Sequence, residues 1–181
     1  MMKIYRLRHD PAYQWVTTIN DEEFQKFNQV FDEYHGKNMG IFWDPPKLKI
    51  VDDDENKPKS DFPGFLPDFP IFSRRAKELL KNIVAPFGEF LPFISDFGEY
   101  YGFNVQRCID ALDEAKSVVK RFRDGRIMQI EQHAFYPHLV RNEVIFTIPQ
   151  GGNIYVTDIF VSKVEEHGLT GLDLREVWHS D

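Results

Sequence analysis

The stretch that most constrains the fold is residues 118–133, VVKRFRDGRIMQIEQH. Asp124-Gly125 sits between two segments rich in apolar and β-branched residues, and Asp-Gly is a strong hairpin signal because glycine takes φ > 0 without a Cβ clash. Two registers fit. A two-residue turn puts Val118, Phe122 and Ile127 on one face and Val119, Met128 and Ile130 on the other. A three-residue loop with Gly125 in the left-handed position gathers Val118, Phe122, Met128 and Ile130 on one face. A one-residue slip flips every side chain of a strand, so a buried cluster favours the second register. The hairpin is expected to supply two central strands of an antiparallel sheet.

The rest of the chain mixes strands and helices. Residues 2–8 read as a half-buried strand and 13–19 as a second extended piece. Asn20, with Glu23 completing a capping box, starts a helix whose apolar side carries Phe24, Phe27, Val30, Phe31 and Tyr34, and Gly36 ends it. Pro45-Pro46 makes a stiff bend before a strand at 47–51. Residues 52–68, DDDENKPKSDFPGFLPD, have no period and read as a long surface loop. Ser73 caps a helix through Val84; strands follow at 89–93 and 99–105. Ile109 and Leu112 suggest helical turns within 106–114. Strands at 143–148 and 154–156 flank a Gly151-Gly152 turn, Thr157 caps a further helix, and 173–178 is the last strand. Hairpin-length connections dominate and repeated βαβ units are lacking. The expected class is α+β, a largely antiparallel sheet built around the central hairpin with about three helices packed on it. The whole chain, 1–181, is read as one domain, with 1–68 as a candidate small N-terminal lobe.

Composition narrows the function. The net charge of −7 argues against nucleic acid as a partner and suits a basic protein surface. A single cysteine, Cys108, excludes an internal disulfide framework, and a buried inert thiol is expected of it. No apolar leader or membrane span is recognisable, so a cytoplasmic protein is expected.

Motifs for chemistry are weak. His133 and His138, separated by Pro137, match no metal signature. Asp52, Asp53, Asp54 and Glu55 lack the spacing of a calcium loop and read as a solvated acidic segment, or as a docking element for a basic partner. Lys120, Arg121, Arg123 and Arg126 form a basic hairpin tip expected to pair with carboxylates on the sheet. Gly151-Gly152 lacks the phosphate-loop lysine. Trp43, on a rigid turn, suits either an interface anchor or a plug at the core edge. No nucleophile, base and orienter assemble; no catalytic residue, metal or cofactor is expected. The rival reading is a small hydrolase or transferase with a site built from distant residues such as Glu131, His133 and Asp158.

Several short pieces, in order along nearly the whole chain, carry a resemblance: Trp43 with Pro45-Pro46; Ser60-Asp61-Phe62-Pro63; Pro70-Ile71-Phe72-Ser73; Ala111-Leu112-Asp113-Glu114; Tyr155-Val156-Thr157-Asp158; and Gly168-Leu169-Thr170-Gly171-Leu172 with Trp178. With these the chain resembles the polymorphic-toxin immunity proteins of family eleven in bacteria. The resemblance implies a non-catalytic protein that binds and neutralises a cognate toxin. The contact residues expected are Trp43, Asp52, Asp53, Asp54, Glu55 and Asp61.

Overall fold

The first helix shows how local sequence becomes architecture. Asn20 is extended, and its side chain accepts from the Glu23 amide at 2.9 Å, opening α1, Asp21–Tyr34. The capping box is only half made. The Glu23 carboxylate turns instead to the Lys47 amide, at 2.7 Å, and so ties the helix start to the entry of the strand that begins at Leu48. A tertiary donor has displaced the local one. Phe27 is the buried centre of the helix face.

The computed structural model describes residues 1–180. It is α+β, and its regular strands pair antiparallel, with isolated parallel bridges such as Trp15–Gly64 beside them. Strands β1 (Lys3–His9), β9 (Ile145–Ile148), β10 (Gly151–Thr157) and β11 (Leu172–His179) form a four-stranded sheet in the order β11-β1-β10-β9. Strands β4 (Ile71–Ser73), β5 (Gly88–Pro92) and β6 (Tyr100–Val105) form a three-stranded sheet with β6 in the middle. Two-stranded pairs join β2 (Val16–Thr18) to β3 (Leu48–Ile50), and β7 (Val118–Arg121) to β8 (Ile127–Gln132). The helices after α1 are α2 (Arg74–Val84), the single turn α3 (Pro137–Val140) and α4 (Asp158–Glu166).

Strand alternation distributes the apolar side chains into three cores. On the three-stranded sheet, Phe72, Phe103 and Val105 face a core shared with α2, α4 and the four-stranded sheet. Ile71, Leu91 and Tyr100 face the opposite way, into an aromatic core completed by Phe27, Phe65, Phe69 and Phe93. On the four-stranded sheet, Ile154 and Val156 join the shared core, while Ile4, Phe146 and Tyr155 face a third core closed by Ala111, Leu112, Phe135 and Val140. Gly102 matters to this packing: a Cβ there would lie 2.1 Å from the Phe69 ring, so only glycine lets that ring cross β6.

Three local expectations are overturned. The β7-β8 hairpin does not sit at the centre of the main sheet; it pairs only with itself. Its loop is the three-residue type, with Phe122 N–H bonded to the Arg126 carbonyl and Gly125 at φ +87°. Two register shifts break its alternation, however, and Ile127 and Ile130 pack on the third core while Val118, Phe122 and Met128 stay exposed. Residues 106–114 are extended, not helical. Ile109 N–H donates to Thr147 O and Thr147 N–H to Arg107 O, so β9 captures this segment at its edge, and Cys108 is exposed there. Thr157 does not cap α4 with its side chain; its hydroxyl donates to Glu143 O at 2.8 Å.

The 52–68 segment divides into two halves. Asp52–Asp54 form a short 3₁₀ turn at the surface. Residues 60–65 are buried, with Phe62 in the shared core and Phe65 in the aromatic core. Pro63 and Gly64 suit a loop by composition, but Phe62 and Phe65 on either side supply enough apolar contact to hold the segment inside.

Candidate interaction surfaces

Charge is distributed unevenly along the chain. Residues 10–68 hold thirteen Asp and Glu against six Lys, which accounts for the whole net charge of −7; the remaining residues hold sixteen of each sign. Much of this acidity lies on α1, on the bend after it and on the 3₁₀ turn. Asp21, Glu22, Asp32, Glu33, Asp53 and Glu55 are exposed and make no ion pair among the described residues. Asp32 and Glu33 sit in the last turn of α1, which has no basic residue. Negative charge there opposes the helix dipole, so these two side chains act against local helix stability.

Exposed apolar groups lie beside these charges: Ile19 and Phe24 at the start of α1, and Ile41 and Phe42 on the bend. Phe42 stacks on Tyr34 with ring centroids 4.4 Å apart. The bend is held from beneath by the fully buried Asn104, whose amide donates to Lys37 O and accepts from Gly36 N–H, and by Glu89, which accepts from Met39 N–H. Neither Asn104 nor Glu89 was legible in the sequence as a positioning residue, because Asn104 acts across 67 and 68 positions and Glu89 across 50.

The six residues expected as contacts do not share one environment. Asp52, Asp53 and Glu55 are exposed, with Asp52 3.3 Å from Lys49. Asp54 is turned inward, accepting from Trp15 N–H and paired with Lys57 at 2.7 Å; that lysine holds its carboxyl below the usual range. Trp43 is half-buried. Its indole N–H donates to Pro92 O at 2.7 Å and its ring meets Phe93, Phe27 and Phe69 in the aromatic core. Asp61 is 9% exposed and accepts from Ser73 Oγ, Arg75 Nη1 and Thr170 N–H. It knots together the 60–65 segment, the start of α2 and the approach to β11.

The residues of the rival catalytic reading are spread out. Glu131 is paired with Lys120 at 2.6 Å. His133 lies on the third-core side of the four-stranded sheet against Tyr155, whereas Asp158 opens α4 on the other side. Among the described residues, no cluster of three His, Cys, Asp or Glu is arranged to hold a metal, and no helix is long and apolar enough to cross a membrane. Of the hairpin-tip cations, Lys120 pairs with a carboxylate on the sheet, Glu131 of β8, as expected; Arg121 and Arg126 pair instead with Glu114 and Asp124 in turns, and Arg123 is in no ion pair among the described residues.

The model for the immunity protein family Imm11 matches residues 9–179. The chain belongs to that family. The match spans all four helices and most of every sheet, so the acidic 10–68 segment and the buried Asp61 knot both lie within the Imm11 region. Comparison with curated proteins returns no match.

His133 gives this Imm11 chain a pH signature. Burial, reinforced by Arg6, lowers its pKa from 6.5 to about 4. The imidazole therefore stays neutral in the folded chain while the unfolded chain takes up a proton below 6.5. Its contribution is fully present above that value and is lost as pH falls from 6.5 toward 4. After allowing for partial solvent screening, the loss is expected to be roughly 1–2 kcal/mol. Urea midpoints compared between pH 7 and pH 4 should fall less for His133→Gln than for the natural sequence.

Proposed function

We propose that this Imm11 protein neutralises a toxin encoded beside it by occupying the toxin's surface in the cytoplasm, without turnover of a substrate. The proposed contact is the acidic face of residues 10–68, with a basic toxin surface as its complement. One observation carries this reading: unpaired, exposed carboxylates concentrate on the part of the chain that holds all the net charge, next to exposed Phe24, Ile41 and Phe42. Asp32 and Glu33 add weight, since they stand at the wrong end of a helix dipole, where a role in helix stability does not account for them. Within this proposal Asp52, Asp53 and Glu55 touch the toxin, while Trp43, Asp54 and Asp61 hold the face in shape. Electrostatic complementarity of this kind speeds association more than it slows release.

Co-expression tests the function. The protein should restore growth to cells producing the neighbouring toxin. The combined variant Asp32→Asn, Glu33→Gln, Asp53→Asn, Glu55→Gln should keep or slightly raise the unfolding midpoint, yet slow association with the purified toxin about tenfold or more at low salt. Unaltered association kinetics would move the contact to another surface.

A further inference from the structure

The opposite charge is concentrated at one place on the four-stranded sheet. In the β1-β11 register Arg6 lies directly across from Arg175, and Arg8 across from Asp173. Directly paired residues share a face, as do residues two apart on a strand, so Arg6, Arg8 and Arg175 stand together. Like charges placed opposite each other destabilise a sheet. Arg175 is relieved by Asp173, 2.9 Å from its Nε. Arg6 and Arg8 have no carboxylate within 4.0 Å among the described residues. The acids nearby are committed elsewhere: Glu131 to Lys120, and Glu176 to Lys3 and His179. A half-buried arginine without a partner, in a chain of net charge −7, is a poor choice for stability alone.

The same two arginines border a cavity of about 230 Å³. It exists because β1 and β10 part company. Their pairing ends at Arg6↔Tyr155, while β1 runs on beside β11 to His9. Residues 62–67 enter the gap and line it with Phe62, Phe65 and Leu66; Ile71 and Trp15, whose ring packs on Gly64, add to that apolar lining. Trp15 is held edge-on to His9, with ring centroids 5.1 Å apart, and is 37% exposed. A cavity of about 150 Å³ is enough for a benzene ring, so a phenyl-sized group fits here. A planar guanidinium is weakly hydrated and matches a carboxylate in two-point geometry.

We propose that Arg6, Arg8 and the adjoining Trp15 cavity form a binding site for a carboxylate carried on an apolar body. The carrier is either a free organic acid or an acidic side chain next to an apolar one in a bound polypeptide. The site is separate from the acidic contact face, and its test needs no toxin.

The probes are 3-phenylpropionate, its neutral analogue 3-phenylpropanol, and the blocked tripeptide acetyl-Leu-Phe-Glu-amide. Each is titrated into the full chain while tryptophan fluorescence and backbone amide spectra are followed. Saturable binding of 3-phenylpropionate at the amides of residues 6–9, 62 and 64–66 is expected, with the alcohol at least tenfold weaker. Arg8→Gln, at an exposed position, should weaken the acid at least tenfold with no fall in the unfolding midpoint. Arg6→Gln should do the same and hold or raise that midpoint by removing the repulsion with Arg175. Tripeptide binding at least as tight as that of the free acid assigns a polypeptide carrier; tighter binding of the free acid assigns a small molecule. No saturable binding of either acid, equal binding of acid and alcohol, or full affinity in Arg8→Gln would overturn the site.

Discussion

Phe27→Ala is expected to lower the stability by about 3–5 kcal/mol, the range for truncating a buried aromatic residue. Phe27 is 1% exposed and lies at the middle of a ring network. Phe31 stacks on it at 5.1 Å, and Phe65 and Phe69 meet it edge-on at 5.3 and 5.5 Å. Removing it leaves several rings without a partner, and those rings cannot collapse inward because Gly102 already lets Phe69 press against β6. Urea unfolding should show a lower midpoint with an unchanged slope. Trp43→Phe sharpens the comparison. That change retains ring contact but deletes the bond to Pro92 O, and should cost about 1 kcal/mol. A loss as large as that of Phe27→Ala would mean that Trp43, at the rim, bears more of the aromatic core than its half-burial allows.

Asp61→Ala is the second large effect, expected at about 2–4 kcal/mol. The carboxylate receives a hydroxyl, a guanidinium and a backbone amide, from three parts of the chain. Charge-assisted bonds of this kind contribute about 1.5–3 kcal/mol, and the Ser73 hydroxyl and the Thr170 N–H lose their acceptor together. Arg75 is discounted because its side chain is 53% exposed. Asp61→Asn should recover part of the loss, since its amide oxygen still accepts from Thr170 N–H. Because Ser73 also caps α2 through Ala76 N–H, amide exchange in the first turn of α2 should rise together with exchange at Thr170.

The elements that proved legible were those fixed by neighbouring residues. Asn20 and Ser73 act within three positions and start α1 and α2 where expected. Asp124-Gly125 likewise fixed its own loop. Position in the fold was another matter. The hairpin has apolar residues on both strands, and nothing local says which neighbour it lacks; β1, β10 and β11 assembled the main sheet from the two ends of the chain instead. Residues 106–114 followed the same logic, since the free edge of β9 overrode a weak helical spacing. At the surface, the composition of 52–55 marked exposed acid at Asp52, Asp53 and Glu55, whereas Asp54 is turned inward onto Trp15 N–H and Lys57. Asp61, six positions beyond Glu55, has the same chemistry and the opposite environment, because Phe62 beside it is drawn into the core. The unpaired Arg6 could be found only from the strand register, which places it opposite Arg175.

The most direct measurement is calorimetric titration of the purified toxin domain from the neighbouring gene with this protein, across a range of salt concentrations. Saturation at one protein per toxin is expected, with affinity that falls as salt rises and falls further in the Asp32, Glu33, Asp53 and Glu55 variant. No heat of binding at any salt concentration, with the toxin still active in the mixture, would contradict it.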